Sequence, residues 1–352
     1  MDFKIFLKRI YPILLILLVF IVWKIRQNKT HQAQNIQMVE IKGTTMGTIG
    51  YSIKYLSETG ENYANGIDSL LKVWNLSLST YIPESEISRF NKGQDCFEFE
   101  SEYFLPVLKA SKEVFENSFG AFDPTVGPLV NAWGFGPDKS LVPDSSRVDS
   151  LIQLVGFNKI QFDENKVCKD APGIQLDFSA VAKGYAVDVV ADFLGKKGIH
   201  NLLVEIGGEL ICRGTKNDNL LWRTAIEDPT VKVYEQKILA IVNLKDRAVA
   251  TSGNYRNYYV RDGIKYVHTI DPSTGFPITH KLLSASVFAD NCMIADAYAT
   301  AFMVLGVDKA KVVLENIPSL DAYLIYSGEN GEISTFATEG IAAYIEKPNA
   351  QD

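Results

Sequence analysis

The stretch LDFSAVAKGYAVDVVADFLGKKGIHNLLVEIGGELICR, residues 176–213, holds a helix and a hairpin in succession, and its reading sets the fold. Apolar residues fall on one face of a helix over residues 180–194, with Ser179 as N-cap and Gly195 to Gly198 as the stop. Residues 202–206 and 210–213 then read as strands around Gly207-Gly208, where paired glycines supply the positive-φ turn of a two-residue hairpin. Each strand finds its partner next along the chain. Such local antiparallel pairing marks an α+β domain, not a doubly wound parallel sheet.

Outward from that core the pattern recurs. Residues 39–56 alternate like a strand pair around a Gly/Thr turn, residues 62–77 carry Ile67, Leu70, Leu71 and Trp74 at helical spacing, and residues 103–118 form another helix. A second hairpin turns at Asp262-Gly263 between residues 258–261 and 265–269, and a strand over 283–288 leads into a helix over 293–305. No repeat, charge block or Pro/Ser-rich stretch interrupts residues 38–346. The expectation is a single large α+β domain of mostly antiparallel strand pairs with several helices, preceded by residues 1–37 as membrane anchor or signal segment and linker.

Composition sets broad limits. The 352 residues are 47% apolar and 22% charged, enough to bury a core in one large domain or two closely joined ones. A formal charge of -7, with Lys and Arg scattered, leaves no basic stripe and argues against nucleic acid as a partner. Cys96, Cys168, Cys212 and Cys292 stand far apart with no C-x-x-C spacing, so they read as buried small apolar residues, neither a zinc site nor a redox pair. At the N-terminus, Lys4, Lys8 and Arg9 precede an apolar run over residues 10–23 that stops at Lys24, Arg26 and Lys29. That length suits a signal-peptide core better than a full span, yet residues 24–30 are basic and bulky, with neither an A-x-A site nor a cysteine for lipid attachment. An uncleaved anchor follows, its Lys side chains snorkelling to lengthen the span, and three basic residues on each side leave its orientation open.

Chemistry has to be sought away from the common motifs, since G-x-x-x-x-G-K-[ST], G-x-G-x-x-G, H-E-x-x-H and G-x-S-x-G are all absent. Asp296 and Thr300 share one face of the last helix, and a carboxylate with a hydroxyl one turn on is a half-site for a hard, oxygen-seeking cation. A solvated Asp beside a back-bonding Thr is the commoner meaning of that spacing. This helix, however, is apolar on most sides, where an Asp needs a metal or a basic partner. Asp177 stands just before the helix that carries Lys183 in its first turns. Free amides and a Lys there attract phosphate, while caps at Asp177 and Ser179 with a solvated Lys183 account for the stretch equally well. Residues 120–128, GAFDPTVGP, read as an Asp123 N-cap with Pro124 at the first helical position, and the small residues ahead of the cap also let a ring approach the backbone. His268 ends a strand in the turn HTIDPSTG, residues 268–275. Imidazole suits proton transfer near neutral pH, though a lone His at a strand end more often has a structural use.

Taken in order along the chain, these stretches resemble the FAD:protein FMN transferase family, also called the thiamine biosynthesis lipoprotein or ApbE-like family. The likeness runs from Gly43 to about Gly306. It is carried by GTTMGT at 43–48, LSTY at 78–81 with SEISRFN at 85–91, GAFDPT at 120–125, LDFSAVAKG at 176–184, EIGGE at 205–209, TSG at 251–253, HTIDPSTG at 268–275 and ADAYAT at 295–300. The resemblance implies an α+β, T-fold-like domain in which Met46, Tyr81, Ala121, Phe122, Asp123, Asp177 and Lys183 bind FAD. It also implies that the Ala180 carbonyl, Asp296 and Thr300 hold Mg2+, with His268 near the diphosphate as first candidate for the general base and an Asp of the site as the alternative. The implied reaction splits the FAD diphosphate, passes the FMN phosphoryl to a Thr or Ser hydroxyl of an acceptor protein and releases AMP. Acceptors in such systems resemble flavin-carrying subunits of ion-pumping membrane reductases, which fits an enzyme tethered to the inner membrane with its soluble domain periplasmic. Two alternatives use the same site: an Mg2+-dependent FAD pyrophosphatase, with water in place of the hydroxyl, and a flavin-binding protein without turnover. Many members have Gly-Gly where this chain has Ser179-Ala180, and lipoprotein members carry a lipid-bearing cysteine that this chain lacks.

Overall fold

A computed structural model describes residue 11 and residues 15–24, 36–136, 143–231, 237–255, 258–261 and 263–348. Eight strands build the large sheet: β1 (Gln37–Thr45), β2 (Ile49–Ser57), β3 (Leu202–Ile206), β4 (Glu209–Arg213), β5 (Arg247–Gly253), β6 (Leu282–Ala289), β7 (Asp321–Ser327) and β8 (Ile333–Ala337). They lie side by side in chain order, and every neighbouring pair is antiparallel. The pairing read from the Gly207-Gly208 hairpin thus extends across the whole sheet, with long insertions between strands that remain neighbours. Both glycines have positive φ, 64° and 102°, as that turn requires.

The long helices α1 (Ala64–Leu78), α2 (Phe104–Asn117), α3 (Ala182–Lys196) and α4 (Cys292–Asn316) supply the apolar layer over one face of this sheet. Strands β5 and β6 are buried on both sides. Ala248, Ala250, Ala285 and Val287 turn to the helices, whereas Val249 and Phe288 meet Trp222 and Val242 of a second, three-stranded sheet. That double burial extends to Ser284 and Ser286 of the strand read over residues 283–288, both of which are buried. A smaller cluster of Leu129, Trp133, Val148, Leu151 and Ile270 lies beneath the turn that follows His268.

Two expectations need correction. Ser179 is not the N-cap of α3, which begins at Ala182 after Val181 with no side-chain cap. The Ser179 amide and hydroxyl turn back onto Asp177 instead, because an Asp side chain captures nearby donors and competes with helix initiation. The helix read over residues 293–305 does end there, because Gly306 with φ 74° and ψ 178° is not helical, and a second helical segment follows it to Asn316. Finally, Cys96 and Cys168 form a disulfide; they stand directly opposite each other on the paired strands Cys96–Glu98 and Lys166–Lys169, with Cα atoms 4.0 Å apart. Only Cys212 and Cys292 are the free, buried thiols expected of all four. Spacing of 72 residues carries no hint of that register.

The described part of the N-terminal apolar run, residues 15–24, is helical with its apolar side chains exposed. Among the described residues no helix is long and apolar enough to cross a membrane. Ile10, residues 25–35 of the linker and Asp262, the first residue of the second hairpin turn, lie outside the described residues.

Candidate functional site

Helices α3 and α4 touch at Gly184. A Cβ there would lie 2.2 Å from the Cys292 carbonyl oxygen and 2.8 Å from the Asp296 Cβ, so glycine is what permits the approach. One turn along α3, Asp188 accepts the amides of Cys292 and Met293, each at 2.8 Å, and so caps α4 from the neighbouring helix. Burial raises the Asp188 pKa to about 7. The contact fixes Asp296, whose Oδ2 accepts the Gly184 amide at 3.0 Å.

Lys183, next to Gly184, turns inward to two carboxylates. Its ammonium donates to Glu209 Oε1 at 2.7 Å and lies 3.7 Å from Asp296 Oδ1. Both carboxylates are buried, with side chains 5% and 3% exposed, while Lys183 keeps 28%. Burial opposes the lysine charge, but Asp296 and Glu209 combined hold its pKa above the ordinary value. Burial, reinforced by Asp296, raises the Glu209 pKa against the pull of Lys183. One turn after Asp296 on α4, Thr300 Oγ1 shares a hydrogen bond of 3.2 Å with Ser252 Oγ of β5.

This donor set fits a hard cation. Two buried carboxylates face one ammonium, leaving uncompensated negative charge, and Glu209 Oε2 is buried with no partner. Asp296 Oδ1 accepts no hydrogen bond among the described residues. Nor do three or more His, Cys, Asp or Glu side chains converge there as a metal cage, so a cation would rest on carboxylate, hydroxyl and carbonyl oxygens combined.

A second group lies just ahead of α3. The Asp177 amide donates to the Pro124 carbonyl at 2.7 Å, joining the 120–128 stretch to the Asp177 turn. Ala121, Phe122 and Asp123 are buried. The Asp123 carboxylate accepts from the Thr125 amide and hydroxyl and from the Phe157 amide, as the N-cap reading expects, and burial raises its pKa. Tyr81 is 67% exposed, and partial desolvation of its phenol, then the nearby Asp177 carboxylate, raise its pKa. Asn91 braces this group by donating to the Leu176 carbonyl and accepting its amide, both at 2.8 Å. Met46 sits in the β1–β2 turn at φ 48°, packed on the core; the β3–β4 turn joins it there, the Gly207 amide donating to Gly50 O at 3.0 Å.

His268 reaches the site through its neighbour. Thr269 Oγ1 donates to Asn254 Oδ1 at 3.4 Å, and Asn254 follows β5 two residues after Ser252, the partner of Thr300. The His268 ring meets Phe135 edge-on with centroids 6.3 Å apart, and Trp133 Nε1 donates to Gly275 O at 2.8 Å, so the turn after His268 packs on the segment that continues from Asp123. Lys183, Asp296 and Thr300 are thus in one cluster and Tyr81, Asp123 and Asp177 in an adjoining one, while His268 is linked to Thr300 indirectly, through Thr269, Asn254 and Ser252. Sequence reasoning assigned no role to Glu209, Ser252, Asn91 or Asp188. A Glu directly after Gly-Gly looks like a solvated hairpin end, and the signal that could have found it is that a Lys drawn into a helix packing face needs a buried counter-charge.

A family profile described as the ApbE family matches residues 23–324 of the chain. The FAD:protein FMN transferase of Vibrio cholerae is 39% identical over 320 residues, covering 88% of this chain and 94% of that protein. The Escherichia coli FAD:protein FMN transferase is 37% identical over 310 residues, with coverage of 84% and 86%. Among solved structures, the flavin transferase ApbE of Vibrio cholerae superposes with a TM-score of 0.80 at 37% identity, over 88% of this chain and 99% of that one. The apo flavinyl transferase ApbE of Pseudomonas stutzeri gives 0.77 at 36%, over 86% and 95%.

Proposed function

The chain belongs to the ApbE family and is an FAD:protein FMN transferase, and we propose that Lys183, Asp296, Thr300 and His268 carry the transfer. FAD is bound by Met46, Tyr81, Asp177 and Lys183, with Ala121, Phe122 and Asp123 contributing backbone because their side chains are buried. Asp296, Thr300 and the Ala180 carbonyl would hold Mg2+, which when bound neutralises charge on the diphosphate. Lys183 and the amides at the start of α3 orient phosphate oxygens. An acceptor Thr or Ser oxygen attacks the FMN phosphorus, the bond to the AMP phosphate breaks, AMP leaves, and the hydroxyl proton passes to His268.

The observation that supports this reading best is the excess of buried negative charge at Glu209 and Asp296 around one ammonium, beside a helix N-terminus. Asp296→Ala should lower Mg2+-dependent flavinylation of an acceptor by orders of magnitude while the protein stays folded. Near wild-type rates at saturating FAD would overturn it.

The residues 15–24 helix, apolar and packed on nothing in the core, supports a tether that keeps the domain beside membrane-bound acceptors such as a flavin-carrying reductase subunit. The Cys96–Cys168 disulfide supports an oxidising, extracytoplasmic setting. Removing residues 1–36 should release a soluble, fully active domain; loss of folding would assign the segment to the core instead.

A further inference from the structure

The geometry points to Glu209 as a positioning residue that holds the Lys183 ammonium off Asp296 and so keeps Asp296 Oδ1 open to a divalent cation; this rests on the Mg2+ reading above. Lys183 has two carboxylates within reach and divides itself unequally. It hydrogen-bonds Glu209 at 2.7 Å, while 3.7 Å separates it from Asp296 Oδ1, beyond hydrogen-bond distance. The three groups come from three elements: Lys183 from α3, Asp296 from α4, and Glu209 from the first position of β4, where it pairs with Ile206 across the hairpin. Glu209 is therefore fixed by the sheet and Asp296 by the Gly184 amide and the Gly184 contact, and the flexible partner is the lysine.

Without the Glu209 charge, the ammonium would have one buried counter-charge left, about 1 Å further away than an ordinary ion-pair hydrogen bond. A four-carbon stem covers that gap by small rotations. Lys183 would then close on Asp296 Oδ1, neutralise it and occupy the position a cation needs.

A simpler account exists, in which Glu209 attracts the cation only by its charge, and a double-mutant cycle separates the two. Mg2+ binding to the FAD-free protein is measured by calorimetry for wild type, Glu209→Gln, Lys183→Met and the double variant. If Lys183 is the competitor, Glu209→Gln should weaken Mg2+ by about tenfold or more with lysine present and by less than about threefold in Lys183→Met. Equal factors in both backgrounds would reduce Glu209 to a bystanding charge and overturn the proposal. Glu209→Gln is near-isosteric and leaves one ammonium facing one carboxylate, so its unfolding temperature in EDTA serves as the folding control. A crystal structure of that variant gives an independent reading: the Lys183–Asp296 separation should shorten to hydrogen-bond length, and an unchanged 3.7 Å would sink the idea. Absence of Mg2+ binding in wild type, matched by Asp296→Ala, would instead overturn the metal reading beneath it.

Discussion

Gly184→Ala tests whether the α3–α4 contact builds the site. The added methyl would stand 2.2 Å from the Cys292 carbonyl oxygen and 2.6 Å from its carbon, roughly 1 Å short of the 3.4 Å at which ordinary contact begins. Both atoms are backbone at the start of α4, so no side-chain rotation relieves the clash and the helices must separate. Overpacking of that kind costs about 3 kcal/mol, and the gain of about 1 kcal/mol from replacing a helical glycine offsets part of it. A net loss of about 2 kcal/mol should lower Tm by roughly 4 °C in a domain of this size. Activity should fall further than stability, since a shift of about 1 Å in Asp296 misplaces a reacting constellation and costs about 10²-fold. Differential scanning fluorimetry and single-turnover FMN transfer at saturating FAD measure the two effects. Gly195→Ala on the same helix is the control, because its methyl would meet only the tip of Arg213 at 3.4 Å, and Tm should hold or rise. A Gly184→Ala protein with wild-type Tm and wild-type transfer would refute the claim that this contact sets the position of Asp296.

His268→Ala should slow transfer by roughly 10²-fold or more with little change in FAD affinity if His268 takes the proton; lost affinity with an intact single-turnover rate would reassign it to phosphate binding. Cys96→Ser, which opens a disulfide between residues 72 apart, should destabilise the domain by about 4 kcal/mol on loop entropy. A reducing agent should lower the wild-type Tm and leave that of the variant unmoved; equal Tm values under oxidising conditions would count against the crosslink. Stability in EDTA should also depend on pH through Asp188. Its folded pKa of about 7 lies above the unfolded value near ~3.9, so its contribution is complete below the unfolded value and is lost as pH rises through 7. Tm should therefore fall between pH 5 and 8, Asp188→Asn should flatten that slope, and an identical slope in the variant would discard the assignment.

What the sequence determined by itself is local. Hydrophobic period and glycine turns placed α1 to α3, the β1–β2 and β3–β4 hairpins, β6 and the start of α4, because each rests on contacts a few residues apart. The Asp123 cap with Pro124, and the shared face of Asp296 and Thr300, were legible for the same reason. Tertiary structure decided everything that depends on which elements meet. The turn of Lys183 inward to Glu209 and Asp296, the capping of α4 by Asp188, the bracing of Leu176 by Asn91, and the Cys96–Cys168 bond join residues 26 to 113 positions apart. The physical reason is that a buried charge selects its partner by distance in space, and pattern along a chain reports burial of a face without naming what lies against it.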